Sequence, residues 1–191
     1  MKLSMLEIDG FRGVSKAKVL FQEHTVLIGS NSIGKTSLVE AIALILGRDR
    51  MVRNLTEHDF FGSNPGPVTR IIIRATLTGF EPEDISAHTD WFRAERGTPV
   101  WLDFDTGEVH GEMRTDGDLL ACQIEFAARF DRESLEVDTA RYFTDGMLGD
   151  VFDDEVYTSV PGSLIRDIGF FVVPANRTWD RIVDRRGIRP P

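Results

Sequence analysis

The octet Gly29-Ser30-Asn31-Ser32-Ile33-Gly34-Lys35-Thr36 fits G-x-x-x-x-G-K-[ST], the phosphate-binding loop called Walker A. Its surroundings narrow the fold further. Val26-Leu27-Ile28 before it predicts a short buried strand. After it Leu38, Ile42 and Ile45 recur at helical spacing, with Val39 and Leu46 beside them, and Gly47 is a natural stop. Strand, glycine loop and helix over residues 25–47 is the setting the motif requires. Gly29 and Gly34 let the backbone wrap where a Cβ would clash or φ must be positive. The N–H groups of Gly29, Ser30, Asn31, Ser32, Ile33 and Gly34 would then face phosphates, joined by those of Lys35, Thr36 and Ser37 at the helix start. Lys35 would reach the β- and γ-phosphates as the catalytic cation. The Thr36 hydroxyl would meet Mg²⁺. The expected cofactors are ATP and Mg²⁺.

A length of 191 residues suits one domain or little more, and 41% hydrophobic residues can bury a real core. The net charge of −9 argues against a chain that wraps nucleic acid over its whole surface. The single cysteine, Cys122, sits in an apolar stretch and reads as a core residue. It permits no internal disulfide, in keeping with a reducing cytoplasm. No apolar run approaches the length of a membrane span, so no membrane partner is expected.

Met1–Gly10 alternates as a half-buried strand with a slip near Leu6. Phe11-Arg12-Gly13 turns, and Ala17–Leu20 pairs back. "LEIDGFRGV", a short strand and "TVLIGSNSIGKTSLVEAIALILG" together resemble the N-terminus of RecF/SMC-type ATP-binding-cassette ATPases. Within that group they look most like the overcoming-lysogenization-defect (OLD) family of ATP-dependent nucleases. Phe11-Arg12 stands in an N-F-R-like position with Gly10 in place of the usual Asn, Asn31 is the third loop residue, and Glu40-Ala41-Ile42 follows. The resemblance implies an α/β fold: a P-loop NTPase head with a mixed sheet and an antiparallel β layer, here incomplete. It implies that Arg12 approaches the nucleotide phosphates. For the whole protein it implies a homo-oligomer formed through the ATPase head, DNA as a partner, and a role in DNA processing or defence against phage.

Beyond Gly47 the chain is loop-rich to Asn64-Pro65-Gly66-Pro67. His58 and Asp59 could be imagined as metal ligands, but they lack a third ligand at suitable spacing and read as loop. A β-rich layer is expected over residues 68–130, with strands at Val68–Leu77, Pro99–Phe104, Val109–Met113 and Leu119–Phe130, and a short helix at Ser86–Arg93. Val100-Trp101-Leu102-Asp103 imitates a Walker B strand and Asp103-Phe104-Asp105 a nuclease D-x-D. An acidic hairpin turn explains both. Residues 131–160 read as an acidic helical or loop excursion. Ile168–Val173 reads as a buried strand stopped by Pro174, followed by Pro174-Ala175-Asn176-Arg177, which resembles the family's "I-P-A-x-R" turn. Arg177, Arg181, Arg185, Arg186 and Arg189 make the tail the most basic segment.

No signature motif, no Walker B strand ending in Asp-Glu and no Toprim pattern occurs before Pro191. The chain is therefore expected to be the N-terminal portion of a longer ATPase-nuclease, one that binds ATP and hydrolyses little of it alone. A RecF-type repair ATPase without nuclease, a self-contained P-loop kinase, and a nucleotide-binding regulatory module remain alternatives.

Overall fold

The computed structural model describes residues 1–30, 34–47, 55–92, 96–144, 150–154 and 157–172. Seven strands form one sheet: β1 (Lys2–Phe11), β2 (Val14–Leu20), β3 (Arg70–Thr78), β4 (Pro99–Asp103), β5 (Glu108–His110), β6 (Leu119–Asp131) and β7 (Glu136–Phe143). The order is β2-β1-β3-β6-β4-β5. β4 takes the first residues of β6, and β7 pairs with the rest of the same edge. Every pairing among these strands is antiparallel. Among the described residues three α-helices accompany the sheet: α1 (Lys35–Leu46), α2 (Val151–Asp154) and α3 (Gly162–Ile168).

Period-two alternation sorts the two faces. Leu6 and Ile8 of β1, Ile71, Ile73, Ala75 and Leu77 of β3, and Leu120, Cys122, Ile124, Phe126 and Ala128 of β6 share one buried cluster. Leu38, Ala41, Leu44 and Ile45 of α1 pack onto it. On the opposite face one rung of the sheet runs Lys18, Glu7, Arg74, Glu125, Tyr142 across five strands. Its charges alternate in sign, which suits neighbouring strands. Arg74 Nη2 lies 2.7 Å from Glu125 Oε2, and the Tyr142 hydroxyl donates to Glu125 Oε1. The β4–β5 hairpin covers the end of this face, where Leu102 and Ala121 bury Met5. Between hairpin and rung lies a cavity of about 500 Å³.

Several expectations change here. The β layer is wider than residues 68–130, because β1, β2 and β7 belong to the same sheet. Residues 136–143, read as acidic helix or loop, are strand β7: Ala140, Tyr142 and Phe143 are buried, while Glu136 and Asp138 nearer its start are exposed. Residues 151–154 alone of that excursion, apart from the segments outside the described residues, are helical. The strand expected at Ile168–Val173 is absent up to Val172. Ile168 ends α3, Gly169 closes it in the left-handed region, and Phe171 is 80% exposed. The helix expected at Ser86–Arg93 is a 3-10 turn, Ile85–His88.

Candidate functional site

α1 begins at Lys35, and Gly34 precedes it with φ +94°. That left-handed backbone strongly favours glycine, so the second glycine of the motif stands where the chain requires one. Among the described residues no side chain caps this end, and no acidic residue lies in the first turn. The N-terminal N–H groups of α1 therefore keep their capacity for an outside acceptor, and the helix dipole adds positive potential there. The other end is closed. Arg141 on β7 donates from Nη2 to the carbonyls of Leu44 and Gly47, at 2.7 and 3.2 Å, and the Gly47 N–H returns to Ala43 O. The helix is thus tied to the sheet at its C-terminus and left open at its N-terminus.

The Lys35 ammonium folds back onto the loop and donates to the carbonyls of Gly29 (2.7 Å) and Ser30 (2.5 Å). Thr36 is exposed on the first turn of α1, with Ser37 half-buried beside it. Asn31, Ser32 and Ile33, the remaining loop residues, lie outside the described residues. So do the Asn176-Arg177 turn and the five tail arginines.

The segment before the loop departs from expectation. Thr25–Ser30 forms no strand, and Val26 and Ile28 are 79% and 90% exposed. A strand needs a neighbour for its N–H and C=O groups, and none of the described strands pairs with this segment.

Arg12 is held by two carboxylates. Its Nε donates to Asp59 Oδ1 at 2.8 Å, and its Nη1 donates to Glu40 Oε2 on α1. Neither partner was visible as such in the sequence, since they lie 47 and 28 residues away. Asp59 also caps its own 3-10 turn, Glu57–Asp59, by accepting from Thr56 N at 2.8 Å. Each of its oxygens thus accepts a hydrogen bond, and His58-Asp59 lies in this short 3-10 turn. Gly10, where the resembled motif has Asn, has φ +73°, and a Cβ there would sit 2.5 Å from the Arg70 carbonyl oxygen. Only glycine fits.

The acidic hairpin turn is also as read. Asp103 Oδ1 accepts from the N–H groups of Asp105 and Thr106, and hydrogen bonding by the Thr106 side chain first, then by its N–H, lowers the Asp103 pKa. Among the described residues no three His, Cys, Asp or Glu side chains gather as a metal site. Cys122 is fully buried, and desolvation pushes its thiol from 9.0 up to about 12, the reverse of a nucleophile's environment. Among the described residues no helix is long and apolar enough to cross a membrane.

The described residues form an antiparallel sheet carrying α1, which begins within the G-x-x-x-x-G-K-T sequence. The profile of a family described as "Protein of unknown function (DUF2813)" matches residues 1–110, and the chain belongs to that family. It is similar to the Uncharacterized protein YbjD of Escherichia coli (strain K12), 36% identical over 61 residues, 32% of this chain and 11% of that protein. It is also similar to the Uncharacterized protein Rv1278 of Mycobacterium tuberculosis (strain ATCC 25618 / H37Rv), 44% identical over 48 residues, 24% of this chain and 6% of that protein. The matched stretches thus span about a tenth or less of these relatives.

Proposed function

We propose that this chain binds ATP with Mg²⁺ as the N-terminal part of an OLD-type ATP-dependent DNA endonuclease, in a P-loop α/β head. The observation that carries the reading is the start of α1. A left-handed glycine leads into an uncapped helix N-terminus whose first two residues are Lys35 and Thr36. This donor set suits a phosphate chain: backbone N–H groups, an ammonium and a hydroxyl, with no carboxylate in the first turn. Lys35 would exchange the carbonyls of Gly29 and Ser30 for the β- and γ-phosphates, and Thr36 would hold Mg²⁺. The metal would neutralise phosphate charge and help orient the transferred group.

Hydrolysis needs further parts: a carboxylate securing Mg²⁺, a group orienting water, and charge opposite the γ-phosphate. None of these is assigned within this chain, so it binds ATP and turns it over slowly. In the whole protein, by the same proposal, dimerised heads complete the site and ATP controls DNA cleavage elsewhere, in DNA processing or phage defence, in the cytoplasm.

Calorimetry with Lys35→Ala tests the core claim. Losing a charge-assisted contact of about 1.5–3 kcal/mol weakens ATP binding by roughly 10- to 100-fold. The melting temperature should hardly move, because the bonds of Lys35 among the described residues go to exposed loop carbonyls. Equal affinity in wild type and variant would refute the site.

A further inference from the structure

The turn between β1 and β2 touches the phosphate-loop helix at two separate points. Val14 Cγ2 stands 3.2 Å from where a Cβ of Gly34 would lie, so its methyl closes over the backbone at the end of the loop. Arg12, two residues earlier, grips Glu40 in the second turn of α1. The turn itself is fixed from behind. Arg12 N donates to Asp59 O at 2.7 Å, Phe61 N donates to Gly10 O at 2.8 Å, and Phe11 bridges to Phe60. Arg12 holds φ +49°, an unusual backbone for a side chain of its size, and these contacts hold it there. Asp59 completes the frame by taking Arg12 on one oxygen and Thr56 N on the other.

We infer that Arg12 is a positioning residue: it sets the start of α1 through Glu40 and does not itself bind phosphate. This inference rests on the nucleotide-binding reading of the same loop. The frame Asp59–Arg12–Glu40 transmits the rigidity of the sheet to the first two turns of α1, whose start has no side-chain cap among the described residues. Nε and Nη1 are engaged on carboxylates from two different elements, which fixes the plane of the guanidinium and ties it to α1.

The rival role, direct phosphate contact, makes the opposite prediction for one substitution. Glu40 lies about 7.5 Å along the helix from Lys35, at 1.5 Å per residue. Glu40→Gln removes a negative charge near the phosphate site and releases Arg12. If Arg12 were a phosphate ligand held back by Glu40, this variant would bind ATP more tightly. If Arg12 acts through Glu40, the variant binds more weakly despite the more favourable charge. Both side chains are more than a third exposed, so a change of roughly threefold is expected. Arg12→Gln should weaken binding by a similar factor, and Arg12→Gln/Glu40→Gln by no more than either alone, because both break one link. Arg12→Lys keeps the charge without the planar fork and should rescue only in part.

Calorimetric titration with Mg²⁺-ATP reads these affinities, and thermal melts verify that each variant is folded. Tighter or unchanged ATP binding by Glu40→Gln overturns the inference, as does additivity in the double variant. A second readout needs no nucleotide. Amide exchange at Leu38, whose N–H bonds to Gly34 O at 2.9 Å, should quicken severalfold in Arg12→Gln and Glu40→Gln, and unchanged exchange overturns the inference by itself. Wild-type protein that binds no ATP, with quickened exchange in both variants, would sink the nucleotide reading and leave the positioning role standing.

Discussion

Two apolar triplets in this chain have opposite fates. Ile71-Ile72-Ile73 lies in β3, where Ile71 and Ile73 are fully buried between α1 and the sheet. Val26-Leu27-Ile28 has nearly the same chemistry, yet Val26 and Ile28 stand in solvent. The difference is in the neighbours. β3 has β1 on one side and β6 on the other, so its backbone polar groups are paired and its inward side chains face α1. The 26–28 segment has no such flank among the described strands. The same contrast divides α1, whose C-terminal half is clamped by Arg141 and whose start has no side-chain cap among the described residues. The packed region supplies stability, and under the proposed function the open one takes the nucleotide.

The largest effect should come from testing the triplets directly. Ile73→Ala removes a fully buried side chain and should cost about 2–5 kcal/mol. Ile28→Ala, at 90% exposure, should stay within about 0.5 kcal/mol. Urea unfolding measures both. A comparable loss at Ile28 would mean that the segment is buried in solution and would break the comparison.

The next test divides the two ends of α1. Arg141→Ala strips the cation from the Leu44 and Gly47 carbonyls and should cost about 1.5–3 kcal/mol of stability. ATP affinity should remain within about twofold, because the lost bonds lie at the far end of a helix roughly 18 Å long. Lys35→Ala has the reverse profile, with affinity lost and stability kept. Should Arg141→Ala also abolish ATP binding, the two ends would be one cooperative unit.

How much of this was legible follows the same division. β1, β3 and β6 declare themselves by alternation, and α1 by helical spacing between Gly34 and Gly47. These are local signals that tertiary packing reinforces. β7 was hidden because Glu136 and Asp138 are exposed at its start and its apolar residues split between the two faces, Val137 and Phe143 in the α1-side cluster and Ala140 and Tyr142 on the other. Val26–Ile28 and Phe170–Val172 carry strand-like sequence without a paired flank, and apolar composition cannot report a missing neighbour. In the candidate site the loop was legible from its glycines and lysine. The Arg12 clamp was not, because Glu40 and Asp59 meet Arg12 only after β1, α1 and the 3-10 turn have packed.

The smallest effect should appear on the outer face of the sheet, at the Tyr142–Glu125 bond. Tyr142 is 7% exposed, and its hydroxyl donates to a buried carboxylate that Arg74 holds from the other oxygen. Tyr142→Phe leaves Glu125 Oε1 without this donor and should cost about 1 kcal/mol at neutral pH. The pH dependence checks the cause. Burial, followed by the bond to Glu125, raises the Tyr142 pKa far above its ordinary 10.0. The folded state therefore keeps a proton that the unfolded state releases, and the stabilisation is fully present below pH 10.0 and lost as pH rises beyond it. The Tyr142→Phe variant has no phenolic proton to lose, so the wild-type advantage should shrink above that pH and then reverse. Cys122 loses stability over an overlapping range, since its thiol is raised from 9.0 to about 12, but it is common to both proteins and cancels in the difference. Urea unfolding of the pair at pH 7, 9 and 10.5 reads the trend. A gap that stays constant with pH would show that Tyr142 ionises in the folded state about as readily as in the unfolded one. Such a result would move this rung of the sheet from the packed side of the comparison to the solvated one.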